Sequence, residues 1–339
     1  MALIDRLAQV LDDPVFLPFQ LDLENRRVLF VRLDSAARAA APFLDQRALP
    51  AAPEGYWLPL DAVLEKSATP DGAQLDWIFH IGHCGSTLLS RLLQAWPALQ
   101  VLREPLPLRI IAEAAVDEAV NQTPHLMLRF VALWSRPLPP HSRSLVKATS
   151  SCNGLAAPML AQLPQARAVL MDMPLPSYLA TVLKSEASLA DVLAAAPQRR
   201  RILAGDDPDA LAALAALAPA QQCAMAWLAE QVRFSDLATG ADGERILRVD
   251  FEALLADPRQ TLTAVATHLQ LPLQPLGAAM ASPWWGRYSK SDGHAYGRTD
   301  RQHDLALSRQ RHGDATAAAE AWLEIYLRQR PDLAGRAGL

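Results

Sequence analysis

The chain has 339 residues, a formal charge of −4 from 32 Lys and Arg against 36 Asp and Glu, and 51% hydrophobic residues. That length accommodates one large α/β domain with additions, and the apolar content excludes an intrinsically disordered chain. An acidic balance with a pI near 6.1 argues against general binding to nucleic acid or to an anionic membrane, both of which need a basic face. No apolar run reaches the ~18–20 residues of a membrane helix. The opening Met1-Ala2-Leu3-Ile4-Asp5-Arg6-Leu7 has no basic region followed by an apolar core, so no secretion signal is expected. Cys84, Cys152 and Cys223 are odd in number and widely spaced. They fit neither a disulfide framework nor a zinc pattern, and agree with a reducing cytoplasm.

In chain order, Val15–Leu21 and Arg27–Leu33 read as two short strands around a polar turn, followed by a looser Pro/Ala segment at 40–53. Residues 1–75 are therefore expected to form a small N-terminal β-containing module, a substrate or partner arm or else strands padding the main sheet. From residue 76 to 339, strand-like runs alternate with helical ones. The strands are expected at Trp77–Ile81, Leu99–Leu102, Ser144–Lys147, Arg167–Met171 and Arg245–Asp250. Helical patterns lie at 86–96, 106–135, 154–163, 177–195 and 208–236, with the Ala/Leu-rich Pro208–Ala220 expected as a buried helix. Such alternation implies an α/β fold: a mostly parallel sheet with helices on both faces and ligands beyond the carboxyl ends of its strands.

The most informative stretch runs from Trp77 to Leu93. An apolar strand meets the small-residue turn Gly82-His83-Cys84-Gly85-Ser86-Thr87, which opens into a Leu-rich helix. Unpaired amides and the positive end of the helix dipole converge there and suit a phosphate or sulfate. Gly85 permits close approach of an anion, and Ser86 and Thr87 add hydroxyl donors. An ordinary capped strand-to-helix turn is the plain alternative. The loop is not an ATP-type P-loop, because Ser86 stands where that motif needs Lys.

The loop resembles the 5'-phosphosulfate loop of the sulfotransferase superfamily, Cys84-Gly85-Ser86-Thr87 lying on its Ser-Gly-Thr-Thr and His83 on its usual Arg or Lys. A second segment is similar to that family's late element: a strand, then Phe251-Glu252-Ala253-Leu254, the Asp257-Pro258 turn and a helix. The resemblance covers residues 75–275. It implies a P-loop-like enzyme transferring a sulfuryl group from PAPS (3'-phosphoadenosine 5'-phosphosulfate) to a hydroxyl or amine of a small-molecule or peptide acceptor. Gly82 to Thr87 would hold the phosphosulfate, and Lys147 at a strand end would offset charge on the leaving phosphate. The catalytic His of the small-phenol branch is replaced by Thr149, so Glu104, in Glu104-Pro105, is the expected base. A protonated His83 would assist the leaving group. Lone surface or packing roles are the alternatives for each of these three, and Cys84 needs no redox role.

One position departs from the family. Where sulfotransferases carry the Arg that binds the 3'-phosphate, this chain has Asp172, and the partner Ser position is Ala180 with Thr181 adjacent. A carboxylate there would repel the phosphate. Trp284–Lys290 and then His294–Arg301 read as a Gly/polar, partly basic loop; Arg287 and Lys290 in it are the expected substitutes, a wet surface loop being the plain alternative. Alternatively Asp172 imitates a magnesium-holding strand end, making the protein an ATP/magnesium-dependent phosphotransferase, or the chain is a non-catalytic nucleotide-binding module. Arg199-Arg200-Arg201 reads as a solvated helix face or, less simply, an anionic-acceptor site. Acceptor identity and oligomeric state have no motif.

Overall fold

The computed structural model describes residues 3–67, 75–116, 123–290 and 293–339. The N-terminal part begins with the helix Leu3–Asp12 and continues as a three-stranded antiparallel sheet, β1 (Phe16–Asp22), β2 (Arg27–Arg32) and β3 (Gly55–Pro59), in that spatial order. The β1–β2 hairpin turns where Asp22 accepts the Asn25 amide at 3.0 Å and Arg26 takes a φ of 45°. β3 was not expected: its Gly-Tyr-Trp-Leu-Pro sequence follows a Pro/Ala stretch and gains its strand character from pairing with β2.

The main sheet has five parallel strands: β4 (Leu75–His80), β5 (Leu99–Arg103), β6 (Arg143–Lys147), β7 (Ala168–Asp172) and β8 (Ile246–Asp250), ordered β5-β6-β4-β7-β8. These are the five strands read from the sequence, with edges shifted by one or two residues. β4 lies at the centre, where the crossovers change direction, and its Trp77, Ile78 and Phe79 are fully buried. Continuous apolar runs suit strands covered on both faces. Register places Lys147 beside both Ile78 and Arg103, so the carboxyl ends of β4, β5 and β6 meet. The α/β fold with helices on both faces is as expected.

Helices break where the sequence caps them. The stretch 177–195 is two helices, Leu175–Leu183 and Glu186–Ala194, divided at Ser185, whose hydroxyl accepts the Ser188 amide at 3.1 Å. The stretch 106–135 comprises Leu106–Val116 and Thr123–Trp134; its middle lies outside the described residues. Two expectations are corrected. Pro208–Ala215 is a surface helix in which only Leu214 is buried, because alanine methyls carry too little apolar area to demand burial. Arg199 is not solvated: it is 2% exposed and donates to Glu230 at 2.9 Å.

Glu230 also accepts from Arg233 at 3.0 Å and Asn153 at 2.9 Å. Burial alone would raise its pKa, but Arg233 and Arg199 pull it below the ordinary carboxylate value. Through Asn153, whose amide donates to the His80 carbonyl at 2.9 Å, this network ties the helix Pro219–Thr239 to the end of β4.

The N-terminal part shares one continuous apolar core with the main sheet. Between them, buried arginines satisfy backbone carbonyls of an irregular stretch. Arg91 donates to Ala39 and Ala40 at 2.7 and 3.0 Å, and Arg103 to Ala39 and Ala41 at 2.6 and 2.7 Å. Truncating one member of a buried ion cluster strands the others. Glu230→Ala should therefore lose about 3–5 kcal/mol of unfolding free energy in urea titrations at pH 7. A change within about 1 kcal/mol would remove the network from the account of stability.

Candidate functional site

β4 ends in a loop whose backbone is left-handed at Gly82 (φ 88°), His83 (53°) and Gly85 (73°). Runs of amides in such conformations form anion-binding concavities, and the loop feeds the helix Ser86–Leu92, whose first amides have no intrahelical partner. Gly85 is required twice over. Its φ suits glycine, and a Cβ there would stand 2.1 Å from the Phe251 ring, so the Phe-Glu-x-Leu element packs directly on the loop. The hydroxyls of Ser86 and Thr87 have no hydrogen-bond partner among the described residues, although both residues are buried.

Beside the loop opens a cavity of about 430 Å³. Its wall brings together His83, Cys84, Gly85, Ser86, Thr87, Glu104, Lys147, Thr181, Arg287 and Lys290, ten of the positions expected from sequence. Two others are elsewhere. Gly82 does not line the cavity, and its amide is given to His80 Nδ1 at 3.0 Å. Asp172 does not line it either: its carboxylate is ion-paired with Arg248, which also bonds Gln231.

Lys147 is buried and ion-paired with Glu104. Burial lowers the pKa of its ammonium, and the Glu104 charge opposes that shift. Glu104 itself has a φ of 51°, its amide donates to the Lys147 carbonyl at 2.7 Å, and Thr149 donates to its second oxygen at 3.5 Å. Phe43, from the irregular N-terminal stretch, lies 5.6 Å from the Lys147 ammonium and 6.0 Å from that of Lys290.

His83 departs from the cation expected. Burial, then the charges of Lys290, Arg199, Lys147 and Lys184, push its pKa down to about 3, and Asp191 at 3.8 Å is too exposed to counter them. It is neutral near pH 7. The Cys84 thiol, pushed up to about 12 by burial and by Asp172, donates to the Met171 carbonyl at 3.3 Å and packs as a small inert group.

Sequence reasoning missed several cavity residues. Lys184 lies one turn beyond Thr181 and pairs with Asp304 at 3.1 Å. Arg298 and Arg301 begin the long helix Arg298–Gln329, and Arg301 bonds Glu252 in bidentate fashion at 2.5 and 3.1 Å. Their helical start was hidden in what reads as a Gly/polar loop; a signal was present in the Asp300 carboxylate, which caps the Gly297 amide at 2.8 Å. Among the described residues, six Lys and Arg side chains thus line the cavity against one carboxylate, that of Glu104. Arg287, Lys290 and Arg298 have no ion-pair partner among the described residues.

A family model described as the sulfotransferase family matches residues 78–275. The chain belongs to that family. Among solved structures, it is similar to the sulfotransferase domain of the curacin biosynthetic pathway (12% identity, 74% of this chain and 97% of that one, TM-score 0.42). It is also similar to a sulfotransferase of Mycobacterium tuberculosis (16% identity, 73% and 78%, TM-score 0.42). A third similar structure is a mouse sulfotransferase complexed with PAP (8% identity, 78% and 93%, TM-score 0.35). No curated protein matches the chain in sequence. Among the described residues, no helix is long and apolar enough to cross a membrane.

A histidine neutral in the folded state and free to protonate when unfolded destabilises the fold as pH falls below its ordinary value of 6.5. His83 acts in this sense down to about 3. Urea unfolding between pH 7.5 and 5 should show stability declining with acidity, and His83→Gln should flatten that decline. An unchanged slope in the variant would contradict the assignment.

Proposed function

We propose that the protein is a sulfotransferase taking its sulfuryl group from PAPS and delivering it to a hydroxyl or amine of a small-molecule or peptide acceptor. The observation that carries this reading is the cavity's charge: six cations and one carboxylate among the described residues around a glycine-bearing loop, in a chain whose net charge is −4. So local an excess of positive charge suits a ligand bearing several negative groups. The unpartnered hydroxyls of Ser86 and Thr87 fit the same ligand.

On this reading the hydroxyls and the first amides of the helix hold the phosphosulfate. Arg287, Lys290 and Arg298, with Lys184 and Arg301 behind them, take the 3'-phosphate in place of the family's Arg. That substitution lets Asp172 be spared the role, since Arg248 neutralises it outside the cavity. Phe251 and Trp284, which line the cavity, supply apolar ring surface for the adenine. When bound, PAPS supplies an activated sulfuryl group. Lys147, itself buried, opposes negative charge developing beside it, where a charge out of water counts for more than in bulk. Glu104, ion-paired with Lys147, accepts the proton of the acceptor hydroxyl or amine. A neutral His83 serves as a hydrogen-bond donor and not as a fixed cation. The ATP–magnesium reading has no support, because the carboxylate that invited it is occupied by Arg248.

Calorimetry with PAP, and with ATP and magnesium in parallel, tests the proposal. PAP should bind in the micromolar range or tighter, and Lys290→Ala and Arg298→Ala should each weaken it about tenfold, near 1.4 kcal/mol. Glu104→Gln should leave PAP affinity within a few fold while reducing sulfuryl transfer about a hundredfold or more. Binding of ATP–magnesium without PAP would overturn the reading.

A further inference from the structure

His80 ends β4, is 5% exposed and lines the cavity, yet neither the anion loop nor the acid–base pair described above includes it. Its ring has three close neighbours. The Gly82 amide donates to Nδ1 at 3.0 Å, the Ala148 carbonyl lies 2.8 Å from Nε2, and the Lys147 ammonium lies 3.1 Å from Nε2.

An amide hydrogen can only be received by a lone pair, and a carbonyl can only receive a hydrogen. Together these two partners fix one tautomer: Nδ1 bare, Nε2 protonated. The Lys147 ammonium then has no lone pair to bond at Nε2, and its hydrogens turn to Glu104. The charged groups facing the ring are Lys147 from β6 and Lys290 from the late loop, which act with burial to keep the imidazole neutral; the titratable His83 on the adjoining loop is itself uncharged near pH 7.

We propose that His80 is the positioning residue of this site: its neutral imidazole staples the Gly82 amide, at the first left-handed turn of the loop, to the backbone just after Lys147. The staple holds the loop's concavity and the buried ammonium in one fixed relation. A protonated ring would present a hydrogen to the Gly82 amide and a second cation to Lys147, so only the neutral form can act in this way. The inference rests on the proposed function for its ligand, but its geometry stands without it.

Three variants separate the two ends of the staple. Asn places an oxygen near the position of Nδ1, whereas Gln places an amide nitrogen near that of Nε2 and leaves Gly82 without an acceptor. Hydrogen exchange at the Gly82 amide in the full chain should therefore be fast in His80→Ala and His80→Gln and protected in His80→Asn and the parent. PAP affinity by calorimetry should follow the same order, about tenfold weaker in Ala and Gln and within about twofold in Asn. Melting temperatures establish which variants are folded, and if His80→Ala is not, the Asn–Gln contrast decides alone. Equal Gly82 exchange in the Asn and Gln variants would overturn the proposal. Parent protein that shows the exchange pattern but no PAP binding would instead remove the sulfotransferase reading and leave the staple standing.

Discussion

A lysine ammonium taken out of water must be compensated, and the buried Lys147 sets the terms for the residues around it. Glu104 supplies the opposite charge at the cost of a left-handed backbone, which a non-glycine residue adopts only when its surroundings hold it there. Its own amide is returned to the Lys147 carbonyl, so the pair is locked through both main chain and side chains. Phe43 covers the ammonium with a ring face, an arrangement favourable to a cation and hostile to water. The carboxyl ends of three parallel strands supply the frame.

Around that pair the other cations are held in graded fashion. Lys184 and Arg301 are committed to Asp304 and Glu252, which fixes their positions, while Arg287, Lys290 and Arg298 have no ion-pair partner among the described residues. Pre-positioned cations lose little freedom on meeting an anion, and available ones contribute attraction. The same division sets the balance of charge at the cavity: Asp304, Glu252 and Asp172 are ion-paired outside its lining. Asp172 is the clearest case, a charge that looks fatal to phosphate binding in isolation and is neutralised by Arg248.

What could be read from the residues alone was whatever depends on near neighbours. The apolar strand, the small-residue turn and the Leu-rich helix of 77–93 are local signals, and the ordered Phe-Glu-x-Leu and Asp-Pro elements reinforce them; Asp257 does cap its helix, accepting the Gln260 amide at 2.9 Å. What could not be read depends on distant partners. Arg199 looks solvated within Arg-Arg-Arg until Glu230 is placed against it, and Arg301 looks like loop until Glu252 is. The charge of His83 was misjudged for the same reason, since the lysines that depress it come from β6, the helix after β7 and the late loop. β3 went unseen because its strand character comes from β2. His80 gave no motif at all; only the backbone around it reveals which nitrogen carries the hydrogen.

The aromatic cover over Lys147 comes from residues that precede the first parallel strand, and Arg91 and Arg103 clamp that stretch by its carbonyls. The glycine-bearing turn and the aromatic cover over the buried ammonium thus come from different parts of the chain. A shortened polypeptide starting at Leu75 would retain the glycine-bearing turn yet leave two guanidiniums without their carbonyl acceptors and admit bulk solvent to the ammonium.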